Sequence, residues 1–514
     1  LPASPLSEPR DAAPAEQAST GAPEADAVHS VAAALRSPRR LRTEVFAGLV
    51  VGLALIPEAI AFSIIAGVDP RVGLFASFTM AVAIAFLGGR PAMISAATGA
   101  VALVVAPVAR EHGLDYLVAT IILAGAIQVA FGLLGVARLM RFVPRSVMVG
   151  FVNALSILVL LAQLPHLVDV PWAVYALTAA GIVMMVLIPR WTTIVPAPLV
   201  AIVVLTTAVV VAGIDVPDVG DEGALPESLP TFGLPHVPLT LETFEIIAPF
   251  ALGVALVGLL ESLLTAKLVD DVTDTHSNKT REAWGQGAAN IITGLFGGMG
   301  GCAMIGQTMI NVKVSGARTR ISTFLAGVFL LALVVGLGDV VAAIPMAALV
   351  AVMIMVCVAT IDWHSVRPST LRRMPRSETT VMLTTVVVTV WSHNLAYGVV
   401  SGVLVAAVLF ANRVSHLTSV THVDAADGET RVYTVRGELF FASSNDLVYQ
   451  FDYANGPRHV VIDMSGAHVW DASTVATLDA ITTRYAAKGA TVEIVGMNPD
   501  SAARHGRLSG TLGS

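Results

Sequence analysis

The run GGMGGCAMIGQTMIN, residues 297–311, decides how this chain is to be read. Its glycines (Gly297, Gly298, Gly300 and Gly301) each cost a helix about 1 kcal/mol, so a helix starts only near Ala303–Ile305. What remains is too short or too broken to cross a hydrocarbon core about 30 Å thick. A second stretch has the same character. The segment Ala92–Ala109 opens on small and polar residues, Ser95-Ala96-Ala97-Thr98-Gly99-Ala100, before turning apolar, and its helix starts near Ala96–Thr98. A matched pair of interrupted segments in two halves points to inverted repeats with a binding site at the membrane midplane.

The rest of the chain supplies the membrane. Of its 514 residues 55% are hydrophobic and 13% charged, and mean hydropathy is +0.76. Soluble domains carry roughly 25% charged residues. A disordered chain, a nucleic-acid binder and an ordinary cytosolic enzyme are thereby excluded. The net charge of −7 calls for no anionic macromolecular partner. Between Val45 and Phe410 the apolar blocks make about fourteen spans: 45–66, 72–87, 93–109, 116–137, 146–164, 171–188, 193–213, 245–268, 284–298, 301–312, 321–337, 340–360, 378–395 and 397–412. The interrupted segments are the third and the tenth, seven apart. Seven is odd, so the second half inserts with opposite orientation.

Basic residues fix the sidedness. Arg36, Arg39, Arg40 and Arg42 precede the first span, so the N-terminus is expected in the cytoplasm. Loops on that side hold Arg90; Arg138, Arg141 and Arg145; Arg190; Lys267, Lys279 and Arg281; Lys313, Arg318 and Arg320; Arg367, Arg372, Arg373 and Arg376; and Arg413. The opposite side holds only Arg71 and Arg110, and Ile214–Phe244 has neither Lys nor Arg. Residues 1–35 read as a disordered tail, residues 36–415 as the transmembrane domain and residues 416–514 as a cytoplasmic domain. No signal peptide is expected, because no basic region precedes a short apolar core near the start.

Two ionisable residues stand at membrane depth, Glu58 in LALIPEAIAFSII and Glu261 in ALVGLLESLLTAK. Such a carboxylate costs several kcal/mol unless it is protonated, paired or hydrated. Each lies in the first helix of its half, with Phe62 and Thr265 four residues on and hence on the same helix face. Structural carboxylates at a helix interface are the competing reading; two at equivalent places beside broken helices favour function. Pro57 is expected to kink the first span and to free a carbonyl toward the site. The two helix starts, with free N–H groups and the positive end of the helix dipole, suit a small anion without a basic residue. Gln307 and Thr308 can add hydrogen bonds. Asn153 and Gln128 read as helix–helix contacts, and His276 as solvated. Asp270, Asp271 and Asp274 lack the glycine and terminal Glu of a calcium loop. Cys302 and Cys357 lie in apolar stretches, suggest neither disulfide nor thiolate site, and no metal is assigned. No nucleophile–base constellation is present, so an enzyme is not expected.

After Arg413 the composition changes. Thr434–Leu439, His459–Asp463 and Thr491–Val495 read as strands and Ala472–Ala487 as a helix, a small α/β domain.

The runs ESLLTAKLVDDVTDTHSNKTREAWGQGAANIITGLFGGMGG and NVKVSGARTR, with IPEAIAFSIIAGVDPRVGLFAS in the first span, closely resemble the SulP (sulfate permease) family of anion transporters, bacterial type. The C-terminal segment resembles the STAS domain. The resemblance covers about residues 40–500. It implies a seven-plus-seven inverted-repeat fold like that of uracil permease, with a core domain (spans 1–4 and 8–11) moving against a gate domain (spans 5–7 and 12–14), dimers, and an elevator-like cycle. Carried over by motif, the substrate site involves Glu58, Phe62, Ala97, Thr98, Ala303, Met304 and Ile305, with Gln307 where vertebrate members often place Arg. Glu261 and Thr265 match sodium-binding positions of a bicarbonate-transporting relative, where the acid is Asp. Ala96 and Ala97 replace the Gly-Pro common in bacterial members. Ser473, in Asp471-Ala472-Ser473-Thr474, matches the phosphorylated serine of anti-sigma factor antagonists and is a possible regulatory position.

The expected protein is a multi-pass plasma-membrane symporter of a small anion, a carboxylate such as fumarate. It uses no cofactor beyond a coupling ion, H⁺ at Glu261 or Glu58, or Na⁺. It works in a lipid bilayer as a homodimer and does not bind nucleic acid. Sodium-coupled bicarbonate or sulfate uptake is the alternative within the class; an anion channel or a STAS-linked membrane sensor is the alternative outside it.

Overall fold

The computed structural model describes residues 30–135, 143–191, 196–426, 428–454 and 457–511. The tail before Ser30, and Arg138 and Arg141 of the basic pattern, lie outside the described residues. The chain divides into two units, Leu1–Arg372 with Thr385–Val399, and Arg373–Thr384 with Val400–Ser514.

Fourteen segments succeed one another among the described residues. The first seven are helices α1 Pro38–Ala66, α2 Pro70–Leu87, α3 Gly99–His112, α4 Leu114–Leu133, α5 Arg145–Gln163, α6 Trp172–Leu187 and α7 Ala197–Ala212. The second seven are α8 Leu241–Thr273, α9 Lys279–Leu295, α10 Ile305–Met309 (extended by a π turn, Ile310–Val314), α11 Arg320–Gly336, α12 Met346–Thr360, α13 Arg376–Ser392 and α14 Leu395–Ser415. Strand β1, Ser95–Ala96, leads into α3, and β2, Cys302–Ala303, leads into α10.

The two interrupted segments meet. β1 and β2 pair antiparallel, Ser95 opposite Ala303 and Ala96 opposite Cys302. Non-helical backbone at membrane depth must find its hydrogen bonds within the protein, and here the repeats satisfy one another. The Met304 N–H donates to the Ile94 carbonyl at 2.9 Å, and the Ile94 N–H donates to Thr308 Oγ1 at 3.0 Å. Asn290 of α9 grips both backbone groups of Gly301, accepting from its N–H and donating to its carbonyl. The glycine run has a steric reason as well. Gly300 has φ +75°, and a Cβ on Gly301 would stand 1.9 Å from the Ala96 carbonyl oxygen. No side chain fits there, so Gly301 is what lets the strands close.

Glutamates and arginines outside the spans cap helices. Glu44 accepts from the backbone N–H groups of Arg318, Thr319 and Ser322, the start of α11. Arg320 donates to the carbonyls of Ala85 and Gly88, and Arg281 to those of Phe86 and Leu87. Cations therefore collect at the C-terminal end of α2, where carbonyls lack helical partners. Arg90 is buried rather than solvated; it donates to Asp270, whose other oxygen takes Lys279. Asp270 is thereby committed to two cations. His276 is exposed.

In the second unit four strands, β3 Ser419–Asp424, β4 Thr430–Leu439, β5 His459–Val469 and β6 Thr491–Val495, stand in that order. β3 runs antiparallel to β4; the other pairings are parallel. Helices α15 Phe441–Leu447, α16 Ala472–Ala486 and α17 Pro499–Leu508 complete the domain. Its core gathers Tyr433, Val435, Ile462, Leu478, Ile481 and Tyr485. Sequence patterning missed β3, whose residues are almost all exposed and so carry no alternation. Asp471 caps α16 by accepting from the Thr474 N–H at 3.0 Å, which leaves Ser473 exposed in the first turn.

Candidate functional site

One cavity, of about 110 Å³, lies where the two broken segments meet. Glu58 and Phe62 of α1 form one side, and Glu261 of α8 another. The helix starts provide Thr98 and Gly99 from α3 and Met304, Ile305, Gly306 and Gln307 at α10. The remaining wall is apolar and comes from α5 (Phe151, Leu155, Val159) and α12 (Met353, Val356), with Ser156, Cys357 and Thr360 among them. No Lys, Arg or His lines it.

The two carboxylates are each 8% exposed, and each has a partner. Gln307 Nε2 donates to Glu58 Oε1 at 2.5 Å. Cys302 Sγ donates to Glu261 Oε2 at 3.0 Å, and the same sulfur lies 3.1 Å from Thr98 Oγ1. Thr98 also caps α3, its hydroxyl accepting from the Val101 N–H. Gln307 Oε1 is buried and has no hydrogen-bond partner among the described residues.

Six of the eight expected substrate positions line the cavity: Glu58, Phe62, Thr98, Met304 and Ile305, carried over from the family, and Gln307. Ala97 and Ala303 do not. Both are fully buried, and their N–H groups are already used, Ala97 donating to Ser77 Oγ and Ala303 to Ser262 Oγ. Thr265 stands behind the wall, its hydroxyl donating to the Glu261 carbonyl at 2.8 Å. The N–H groups left over at the helix starts are therefore those of the first turns, at Gly99 and Ala100 and at Ile305 and Gly306. Thr308 is occupied with Ile94 and does not line the cavity. Pro57 lines a different cavity, with Leu199, Ile202 and Leu333, so its break in the ladder faces away from Glu58's site. Asn153 bonds Ser365 and the Asp362 N–H, and Gln128 accepts from Asn290.

Sequence reasoning missed the α5 and α12 wall. Helix α12 is apolar all round, so no periodicity marks the side it turns to the cavity. Helix α5 does carry a buried polar line, Ser146, Asn153, Ser156 and Gln163, of which the sequence reading takes only Asn153, as a helix–helix contact. The member of that line at the cavity is Ser156, a hydroxyl in mid-span.

A multi-pass membrane fold, with two half-crossing segments closing on a small cavity lined by helix starts, defines a transporter of small anions on a seven-plus-seven inverted repeat. The chain belongs to the sulfate permease family, whose model matches residues 41–175 and 169–385, with a STAS domain at 421–509. YbaR of Bacillus subtilis, a provisionally named sulfate transporter, is 52% identical over 90% of this chain and 95% of its own. The bicarbonate transporter BicA of Synechocystis is 27% identical over 85% of this chain and 83% of its own. Among solved structures, the transmembrane domain of a cyanobacterial BicA has a TM-score of 0.63 at 26% identity, covering 70% of this chain and 97% of that one. The murine Solute Carrier 26 family member A9 anion transporter, in an inward-facing state, has a TM-score of 0.78 at 16% identity, covering 91% and 87%. The relatives are transporters, not enzymes, and the protein is a multi-pass protein of the plasma membrane.

Proposed function

We propose that this anion transporter is a proton-coupled symporter of a small carboxylate such as fumarate. The observation that carries the reading is a cavity with two carboxylates and no cation. An anion entering beside an ionised glutamate about 6 Å away meets a repulsion on the order of 3 kcal/mol at the dielectric of such sites. Proton and anion therefore favour each other's binding, and that preference is reciprocal. The apolar wall of Phe62, Phe151, Val159 and Met353 suits a carbon skeleton better than a bare tetrahedral oxyanion. The cavity draws its lining from α1, α3, α8 and α10 and from α5 and α12. That partition supports an elevator-like movement of a core domain (spans 1–4 and 8–11) against a gate domain (spans 5–7 and 12–14), within a homodimer.

A second reading is sodium-coupled bicarbonate or sulfate uptake, which the substrates in the names of BicA and YbaR favour, with Glu261 and Thr265 nearest to hand for a cation. Uptake into proteoliposomes separates them. Labelled fumarate should accumulate saturably under an inward proton gradient alone. Accumulation that requires a sodium gradient, or that prefers sulfate or bicarbonate, would install the second reading. Currents that follow voltage without saturating would indicate a channel.

The distribution of Lys and Arg supports an N-terminus and a STAS domain in the cytoplasm, opposite Ile214–Phe244. A cysteine introduced at Glu222 should react with a membrane-impermeant maleimide added to intact cells. Reaction from the cytoplasmic side only would contradict fourteen spans.

A further inference from the structure

We infer that Thr98, Cys302 and Glu261 form a hydrogen-bond relay that turns the Thr98 hydroxyl toward the anion only when Glu261 carries a proton. The inference rests on the proton-coupled reading above and adds a device to it. Its basis is the placement of one sulfur between two groups that line the cavity, 3.0 Å from Glu261 Oε2 and 3.1 Å from Thr98 Oγ1. β2 holds that sulfur there through its pairing with Ala96, and its side chain is fully buried.

The protons can be counted. With Glu261 ionised, the carboxylate only accepts, so the Cys302 S–H donates to it. The sulfur then accepts the Thr98 O–H, and Thr98 Oγ1 accepts from the Val101 N–H. No Thr98 proton faces the cavity. When a proton arrives on Glu261 Oε2, its O–H donates to Cys302 Sγ. The S–H turns to donate to Thr98 Oγ1, and the Thr98 O–H is released to point at the anion. One O–H bond forms, at Glu261 Oε2, with the single proton added; every other change is in hydrogen bonding alone.

Among titratable groups at that level, β2 contributes Cys302, α1 contributes Glu58 across the cavity, and α12 contributes Cys357. The other elements packed on α8 bring the uncharged Thr98, Gln307, Gln128 and Asn290 to that level; the charged groups of α9 lie toward its start, Lys279 on Asp270 and Glu282 on the Gly89 and Arg90 N–H groups. Glu58 is paired with Gln307 and has no part in the sulfur chain.

Affinity measured against pH tests the relay, with labelled fumarate on the full-length protein in detergent, or labelled sulfate if uptake selects it. Thr98→Val should weaken binding about tenfold at low pH and hardly at all at high pH, where the hydroxyl is turned away in any case. A hydroxyl that merely touched the anion would be missed equally at both, and equal losses would overturn the relay. Taking the ratio to the unsubstituted protein at each pH cancels the contribution of Glu58. Cys302→Ala should tighten binding at high pH, because Thr98 no longer has a sulfur to donate to. Cys302→Ser, which can both donate and accept, should restore the original pH profile. Glu261→Gln, whose amide donates permanently, should keep the Thr98 hydroxyl turned to the anion at every pH, so that in this background Thr98→Val costs the same at low and high pH. If the unsubstituted protein shows no pH dependence at all, the proton-coupled reading fails and the relay with it. A pH dependence that Glu261→Gln removes but Cys302→Ala leaves untouched would overturn the relay alone.

Discussion

Glu261→Gln in proteoliposomes should lose gradient-driven accumulation entirely while still binding the anion. The glutamine keeps the volume and a hydrogen-bond donor toward Cys302, so the closure of β2 on β1 is preserved. What it cannot do is release a proton. A carrier without a titrating group equilibrates its substrate and does not concentrate it, so the inside-to-outside ratio should fall to about one whatever the imposed proton gradient. Glu58→Gln should be milder, because Glu58 is paired with Gln307 and lies outside the sulfur chain. The measurement is uptake of labelled fumarate with and without an inward proton gradient, alongside binding to the same preparation. Full accumulation by both variants would show that neither carboxylate is the coupling group. A structural carboxylate would behave differently again: thermal stability would drop and the coupling would survive.

Gly306→Leu should abolish binding without unfolding the protein. Gly306 lines the cavity in the first turn of α10, and a Cβ built on it meets nothing within 4 Å. A leucine there projects into a space of about 110 Å³ and excludes an anion by volume. Replacing glycine within a helix also gains about 1 kcal/mol of propensity, so the melting temperature should hold or rise. Affinity should fall by about a hundredfold or more, read by equilibrium binding. Unchanged affinity in the folded variant would move the anion site elsewhere. Ala303 would be the wrong place for this experiment, because it is fully buried and its N–H holds Ser262; a large side chain there would break the strand pair before it reached the ligand.

That contrast shows what was legible in the sequence. Two broken segments, one carboxylate in the first helix of each half and the alternating basic loops were enough to number the spans and to predict that the helix starts converge. They rest on composition and periodicity, which local chemistry determines. The level of the cavity floor was not legible. Ala97 and Ala303 carry the right motif, but whether a small residue faces a ligand or a neighbouring hydroxyl depends on Ser77 and Ser262, each on a different element, 20 and 41 residues earlier in the chain. Cys302 read as one more apolar residue, since nothing local announces that its sulfur stands between Thr98 and Glu261. Glu44 gave no sign that it caps α11, a helix more than two hundred residues further on.

The pairing of β1 with β2 also bears on how the protein is made. Ile94 and Thr308, which bond across that junction, are 214 residues apart in the chain. At ordinary rates of synthesis the second arrives on the order of ten seconds or more after the first. Throughout that interval the earlier segment is already in or near the bilayer with backbone groups that lipid cannot satisfy. The nascent first half must wait in a hydrated or chaperoned state, because nothing within it can take the place of β2. The junction at the midplane therefore closes late in synthesis, and a chain that stops before Gly301 lacks the partner strand of β1.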